Sequence, residues 1–248
     1  MTWSIVARDP ASGAFGVAVA TRFFAVGALC THADGGIGAL ATQALINPTF
    51  GPRGLRLLRE GLDASSVVAA LVAADPGRGS RQLHLQDARG GIAAHTGADC
   101  VPWCGHLVRD GFSVAGNMLA GPQVIEETAR AYEAGSALPF ARRLIGALEA
   151  GEAVGGDKRG KQSAALRIHT SEEYPALDLR VDDHPDPLAE LARLEAVSRE
   201  RFVHFATFFA TRANPGGTWD RAVIDAALAA LPTPPAPPAP PAATDGSR

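Results

Sequence analysis

The sequence predicts an α+β fold in which antiparallel hairpins alternate with capped helices, and three observations predict it. Ser4-Ile-Val-Ala7 and Phe15-Gly-Val-Ala-Val19 are short apolar runs of strand type, and the turn cluster Asp9-Pro-Ala-Ser-Gly13 joins them as a β-hairpin. Arg81-Gln-Leu-His-Leu-Gln86 and Ile92-Ala-Ala-His-Thr96 form a second hairpin around Asp87-Ala-Arg-Gly-Gly91, with clear alternation in its first strand. Helix signals fill the stretches between and beyond. Leu55–Glu60 is closed by Gly61, and Asp63 caps a helix over 64–74 that ends before Pro76. Pro122–Tyr132 and Pro139–Ala150 read as further helices, the first with its acidic residues early and its arginine late, as the helix dipole favours.

The opening hairpin holds the first candidate for chemistry. With its turn near Ala11, antiparallel pairing sets Thr2 opposite Thr21 and Arg22. A small residue after Met1 permits removal of that methionine, which leaves Thr2 with a hydroxyl and a free α-amine. The unperturbed amine pKa is about 7.7–8.0, so one residue supplies both nucleophile and base near neutral pH. Threonine is also a common second residue and a good strand former, so Thr2 in isolation is a weak signal.

The stretches around it strengthen the signal. Thr2-Trp-Ser-Ile-Val-Ala-Arg-Asp-Pro10, Gly16-Val-Ala-Val-Ala-Thr-Arg22, Gly36-Ile-Gly-Ala-Leu-Ala-Thr-Gln43, Asn47-Pro48 with Gly51-Pro-Arg-Gly54, and Gly116-Asn-Met-Leu-Ala-Gly121 resemble the DUF1028 family. Gly155-Gly-Asp-Lys-Arg-Gly-Lys-Gln-Ser-Ala-Ala165 and Val181-Asp-Asp-His-Pro-Asp-Pro187 extend the resemblance over roughly residues 2–195. The resemblance implies the N-terminal nucleophile (Ntn) hydrolase superfamily, four-layer αββα proteins that mostly cleave amide bonds. It names no substrate. Its continuity implies one domain over 1–230, followed by a Pro/Ala-rich tail, 231–248, read as disordered.

One departure stands out. Proteasome-type threonine hydrolases use a lysine on an early strand and an acidic residue after the first hairpin, whereas here no lysine precedes Lys158. The expectation is therefore a free amine working with Arg22 and polar groups such as Gln43. The alternative is a catalytically inactive small-molecule-binding or assembly protein that keeps the fold.

Composition bounds the rest. A net charge of −3 and a pI near 6.2 give no pull toward nucleic acid or anionic membrane. There is no long uncharged apolar run and no secretory pattern at the start, and the three cysteines make no even disulfide framework. A cytoplasmic protein acting on a small-molecule substrate, without cofactor or metal, is expected.

Further candidates follow along the chain. Phe23–Cys30 reads as strand, Thr31–Gly36 as a turn and Ile37–Gln43 as a strand. Asn47 lies in the loop that follows and is a candidate substrate contact. His84 and His95 can face each other across the second hairpin in a structural role. Cys100, Cys104 and His106 have zinc-ligand types, but no second cluster accompanies them, so core cysteines beside Trp103 are the reading.

Asn117 interrupts an apolar strand and needs a partner, either adjacent backbone or a substrate oxyanion. The glycine-rich loop 155–163 carries Asp157, Arg159, Gln162 and Ser163, expected at a pocket rim. A helix over 188–212 presents Phe202, Phe205, Phe208 and Phe209 as a stripe, read as core or a subunit contact in a homo-oligomer.

Overall fold

Strands β1 (Thr2–Arg8) and β2 (Phe15–Thr21) form the opening hairpin, and their register pairs Thr2 with Thr21 and Arg8 with Phe15. The structure is a computed structural model that describes residues 2–232. The remaining strands are β3 (Thr31–Asp34), β4 (Gly38–Ala44), β5 (Arg81–Asp87), β6 (Ile92–Thr96), β7 (Gly105–Arg109), β8 (Phe112–Asn117), β9 (Ser163–His169) and β10 (Leu177–Val181). They make two antiparallel sheets, one ordered β10-β9-β2-β1-β8-β7 and the other β3-β4-β5-β6. The fold is mixed α+β, with seven α-helices among the described residues.

The pattern of β1 and β2 shows why they sit in the middle. Ile5, Val6, Ala7 and Val17 to Ala20 are all fully buried, so apolar residues run without alternation because both faces of this sheet are covered. Period two divides them. Trp3, Ile5 and Ala7, with Ala18 and Ala20, join a core formed with α3 (Gln123–Ala134) and α4 (Phe140–Ala153). Val6, Val17 and Val19 join a second core with Ala39 and Ala41 of the other sheet. The outward face of that sheet, Leu40, Leu83 and Leu85, packs on α1 (Phe50–Arg59) and α2 (Ala64–Ala73) in a third core. Thr2 and Ser4 share the Val6 face and so look toward the second sheet.

Asp63 caps α2 by accepting from the Ser66 N–H at 2.8 Å, as the sequence predicts. Other expectations are corrected. Phe23–Cys30 is no strand but a loop with a 3-10 turn at Val26–Ala28, and Thr31–Gly36 contains β3. His84 and His95 do not face each other, since His84 pairs with Ala94 and His95 with Leu83. The hairpin is offset by one residue, which sends the two rings to opposite faces. The helix begun at Pro187 (α5) ends at Glu200 and does not run to 212.

Among the described residues, 2–198 form one compact unit and 199–232 belong to a second. In the second, α6 (Phe202–Phe205) and α7 (Arg221–Ala229) flank an aromatic cluster in which Phe205 meets Phe208 at 6.3 Å and Phe209 at 5.7 Å. The Pro/Ala-rich segment from 233 onward lies outside the described residues. Among the described residues no helix is long and apolar enough to cross a membrane.

Candidate active site

The site is built at one end of the central strand pair. Thr2 opens β1 between Thr21 at the end of β2 and Asn117 at the end of β8. Its Oγ1 lies 3.1 Å from Thr21 Oγ1, and the residue keeps 8% of its surface exposed. That exposed part opens onto a cavity of about 260 Å³.

The cavity walls come from the loop after β2, with Phe23, Phe24 and Val26, and from the end of β4, with Gln43 and Leu45. A second cavity of about 340 Å³ lies on the Asn117 side and shares Ala44 and Leu45 with the first. Three non-glycine residues hold left-handed backbone here, Ala25 at φ 52°, Ala44 at φ 69° and Met118 at φ 56°. Each such residue costs about 1–3 kcal/mol, and strain of this kind concentrates where a site must be shaped.

Beneath Thr2 a neutral polar network ties the two sheets together. Gln43 Oε1 accepts from Ser4 Oγ at 2.7 Å, and Gln43 Nε2 donates to Gln82 Oε1 at 2.8 Å and to the Ala115 carbonyl at 3.2 Å. Gln82 Oε1 also accepts from Asn117 Nδ2 at 3.1 Å. The partner of Asn117 is therefore a side-chain amide across the sheets, not adjacent backbone, and one of its two N–H groups is engaged.

His84 sits between Ser4 Oγ and Ser113 Oγ, each 2.8 Å away. Burial pushes its pKa down to about 3, so the ring is neutral. With Ser4 donating to Gln43, the tautomer that satisfies both contacts carries its proton on Nε2.

Cys30 also lines the cavity. Burial pushes its thiol up to about 12, which keeps it protonated and leaves the Thr2 hydroxyl as the nucleophile candidate.

The charged loop takes a supporting position. Asp157, whose side chain is fully buried, accepts from the Arg22 N–H at 2.8 Å and the Arg159 N–H at 2.8 Å, and pairs with the Arg159 guanidinium at 3.2 Å. Arg22 Nη1 donates to the Arg159 carbonyl at 3.1 Å. Gln162 donates its N–H to the Thr21 carbonyl at 2.9 Å and its side-chain amide to Asp183.

Ser163 Oγ donates to the Phe23 carbonyl at 2.6 Å and accepts from the Val26 N–H at 3.1 Å. Gly27 completes this anchoring. A Cβ there would collide with the Ala165 methyl, so the turn approaches β9 as closely as it does because the residue is glycine.

Of the sequence candidates, Thr2 and Gln43 line the first cavity and Asn117 the second. Arg22, Asp157, Arg159, Gln162 and Ser163 line neither cavity; Asp157 and Ser163 bond the backbone of the first cavity's wall at Arg22, Phe23 and Val26, while Arg159 pairs with Asp157 and Gln162 bonds Thr21. Asn47 lies outside both linings. Its Nδ2 donates to Asp75 at 3.0 Å and its Oδ1 accepts from the Thr49 N–H at 3.1 Å at the start of α1.

Sequence reasoning missed Ser4, Gln82 and the apolar wall, and placed Thr21 opposite Thr2 without giving its hydroxyl a role. The signal for Gln82 was the alternation of Gln82, His84 and Gln86, a polar strand face that is buried against the opposite sheet. Among the described residues no group of three or more His, Cys, Asp or Glu is placed to hold a metal ion.

Residues 2–191 match the family described as "Family of unknown function (DUF1028)", and the chain belongs to that family. It is similar to protein SPO2555 from Silicibacter pomeroyi, whose crystal structure is assigned to the same family. That chain is 32% identical, with 88% of this chain and 96% of that one covered at a TM-score of 0.82. A match to Anbu (ancestral beta-subunit) from Yersinia bercovieri has 12% identity and a TM-score of 0.38 over 85% of this chain and 99% of that one, too loose to argue from. None of the curated proteins matches this chain.

Proposed function

We propose that this protein is an Ntn-type amidohydrolase that cleaves a small amide, with Thr2 as nucleophile once Met1 is removed. The observation that carries the reading is the position of Thr2. It heads the central strand, faces the opposite sheet, contacts the Thr21 hydroxyl and opens onto a cavity. The three cores support the four-layer αββα sandwich of that superfamily, with a helix pair outside each of two facing sheets. Three unpaired cysteines support a cytoplasmic location, and a homo-oligomer belongs to the same reading.

In this mechanism the α-amine of Thr2 takes the hydroxyl proton as Oγ1 attacks the amide carbonyl. The Oγ1–C bond forms and the carbonyl electron pair moves to oxygen. The second N–H of Asn117 stabilises that oxyanion, on a strand neighbour whose Cα lies about 4.5–5.5 Å from that of Thr2. The amine then returns the proton to the leaving nitrogen as the C–N bond breaks. Water, deprotonated by the same amine, cleaves the acyl–threonine ester. Thr21 orients the hydroxyl, and Asp157 fixes the Arg22 peptide next to Thr21.

A second reading, a small-molecule-binding or assembly protein without catalysis, is favoured by one feature. The residues described around the cavity include no ammonium or carboxylate to help activate Thr2. Intact-mass spectrometry of untagged protein, before and after a β-lactone probe, separates the two. Loss of Met1 with an adduct on Thr2, absent in Thr2→Ala, is expected of the hydrolase. Retained Met1, or processed protein that never takes an adduct, assigns the protein to the second reading.

A further inference from the structure

We propose that the cavity beside Thr2 selects an uncharged, apolar acyl group about the size of phenylacetyl to octanoyl, which defines the substrate class as amides of such acids. The chemistry of cleavage rests on the hydrolase reading; the selection rests on the walls alone. Phe23, Phe24, Val26, Leu29, Leu45 and Ile46 present carbon, and the polar lining is Thr2, Thr42 and Gln43 beside the protonated Cys30 thiol, which lies 3.8 Å from Gln43 Oε1.

Those three polar groups are engaged. Thr2 meets Thr21, Thr42 Oγ1 donates to the Asn47 carbonyl at 3.3 Å, and Gln43 bonds Ser4, Gln82 and Ala115. The charged residues tied to the cavity loop are absent from its lining: Arg22 donates to the Arg159 carbonyl, and Asp157 accepts from the Arg22 and Arg159 N–H groups. A carboxylate or ammonium at the far end of the acyl chain, away from the Thr2 amine and among the apolar side chains, would lose water and gain no partner.

Phe23, Phe24, Leu29 and Leu45 are 69%, 63%, 50% and 67% exposed and share one cavity lining, a contiguous apolar patch of the kind that marks a binding groove. Their contiguity with Thr2 in one cavity identifies the occupant of that groove as the acyl part of the bound amide. An engineered apolar cavity of about 150 Å³ holds benzene. A volume of about 260 Å³ therefore suits an aryl ring with a short tether or a chain of roughly six to eight carbons.

The test uses Thr2→Ala, which cannot be acylated, so binding is read without catalysis. Acetamide, hexanamide, phenylacetamide and adipamic acid, the last being hexanamide with a terminal carboxylate, are titrated by NMR. Each buried methylene is worth roughly a threefold to fourfold gain in affinity. Hexanamide and phenylacetamide are expected to bind at least about tenfold more tightly than acetamide and adipamic acid. Leu45→Arg, at an exposed position that tolerates charge, is expected to close the gap between hexanamide and adipamic acid.

Equal affinities, a preference for adipamic acid in the parent cavity, or no binding by any of the four overturns the inference. Failure of wild-type protein to acylate at Thr2 while the binding order holds sinks the hydrolase reading and leaves the selection intact.

Discussion

Loop 155–163 and the cavity wall it supports, residues 22–30, use their side chains in opposite directions. The loop carries Asp157, Lys158, Arg159 and Lys161, yet its buried carboxylate faces backbone N–H groups and its own arginine. The wall carries Phe23, Phe24 and Leu29, yet these apolar side chains are the ones left open at the cavity. A carboxylate that already accepts from Arg22 and Arg159 has little capacity for a ligand, whereas an exposed phenyl ring has found no partner. The loop thus acts on the site through the peptide groups it holds.

Removing its buried anchor tests that division most strongly. Asp157→Ala leaves the Arg22 N–H and the Arg159 guanidinium without their acceptor, and is expected to cost about 3 kcal/mol in urea denaturation. A ligand contact at Asp157 would instead give a variant with wild-type stability and weakened binding.

The polar layer beneath the cavity adds a pH dependence. His84 is neutral in the folded protein with a pKa near 3, against about 6.5 when unfolded. Between these values the unfolded chain binds a proton that the native one refuses, so stability falls as pH drops through that window. From pH 7 to 5 this amounts to about 2 kcal/mol from His84. His32, His106 and His169, also lowered by burial, add to the loss. Urea midpoints at pH 7 and 5 measure it, and His84→Gln is expected to have a shallower acid slope than wild type. Parallel slopes would mean that the ring titrates freely and the layer is open to water.

How far these features could be read from sequence differs along the chain. The opening hairpin was legible because a turn cluster and two apolar runs fix the Thr2–Thr21 register. Asp63 was legible because N-capping is a local hydrogen bond. Phe23–Cys30 was misread as strand because what bends it is remote: the Ser163 hydroxyl, the close approach of Gly27 to β9 and a left-handed Ala25. The charged loop attracted a binding role because its partners, the Arg22 N–H above all, are supplied by residues about 135 positions earlier. Polarity marks where hydrogen bonds must be made but does not say with whom. Gln82 escaped notice for the converse reason, since its alternating strand resembles one with a solvated polar face.

Ser163 joins the two regions directly. Ser163→Ala removes a donor to the Phe23 carbonyl and an acceptor for the Val26 N–H, at an expected cost of about 1–2 kcal/mol. The turn it releases carries Phe23 and Phe24, so affinity for hexanamide is expected to fall severalfold. Ser163→Thr, which keeps the hydroxyl, is expected to recover much of that affinity. Lost stability with unchanged affinity would show that the turn holds its shape without Ser163.

Arg159→Ala should have the smallest effect and discriminate most finely. The guanidinium is 38% exposed, so its pairing with Asp157 is screened by water, and the loss is expected to be below about 1 kcal/mol. The truncated residue keeps the backbone N–H that donates to Asp157 at 2.8 Å, and Asp157 keeps the Arg22 N–H, so the wall remains in place. The affinity of the cavity for hexanamide should then be unchanged within about twofold, and so should the rate of adduct formation at Thr2. A tenfold loss of either at unchanged stability would show that the guanidinium leaves Asp157 to meet the ligand. The division between a charged support and an apolar wall would then have to be redrawn with Arg159 inside the site.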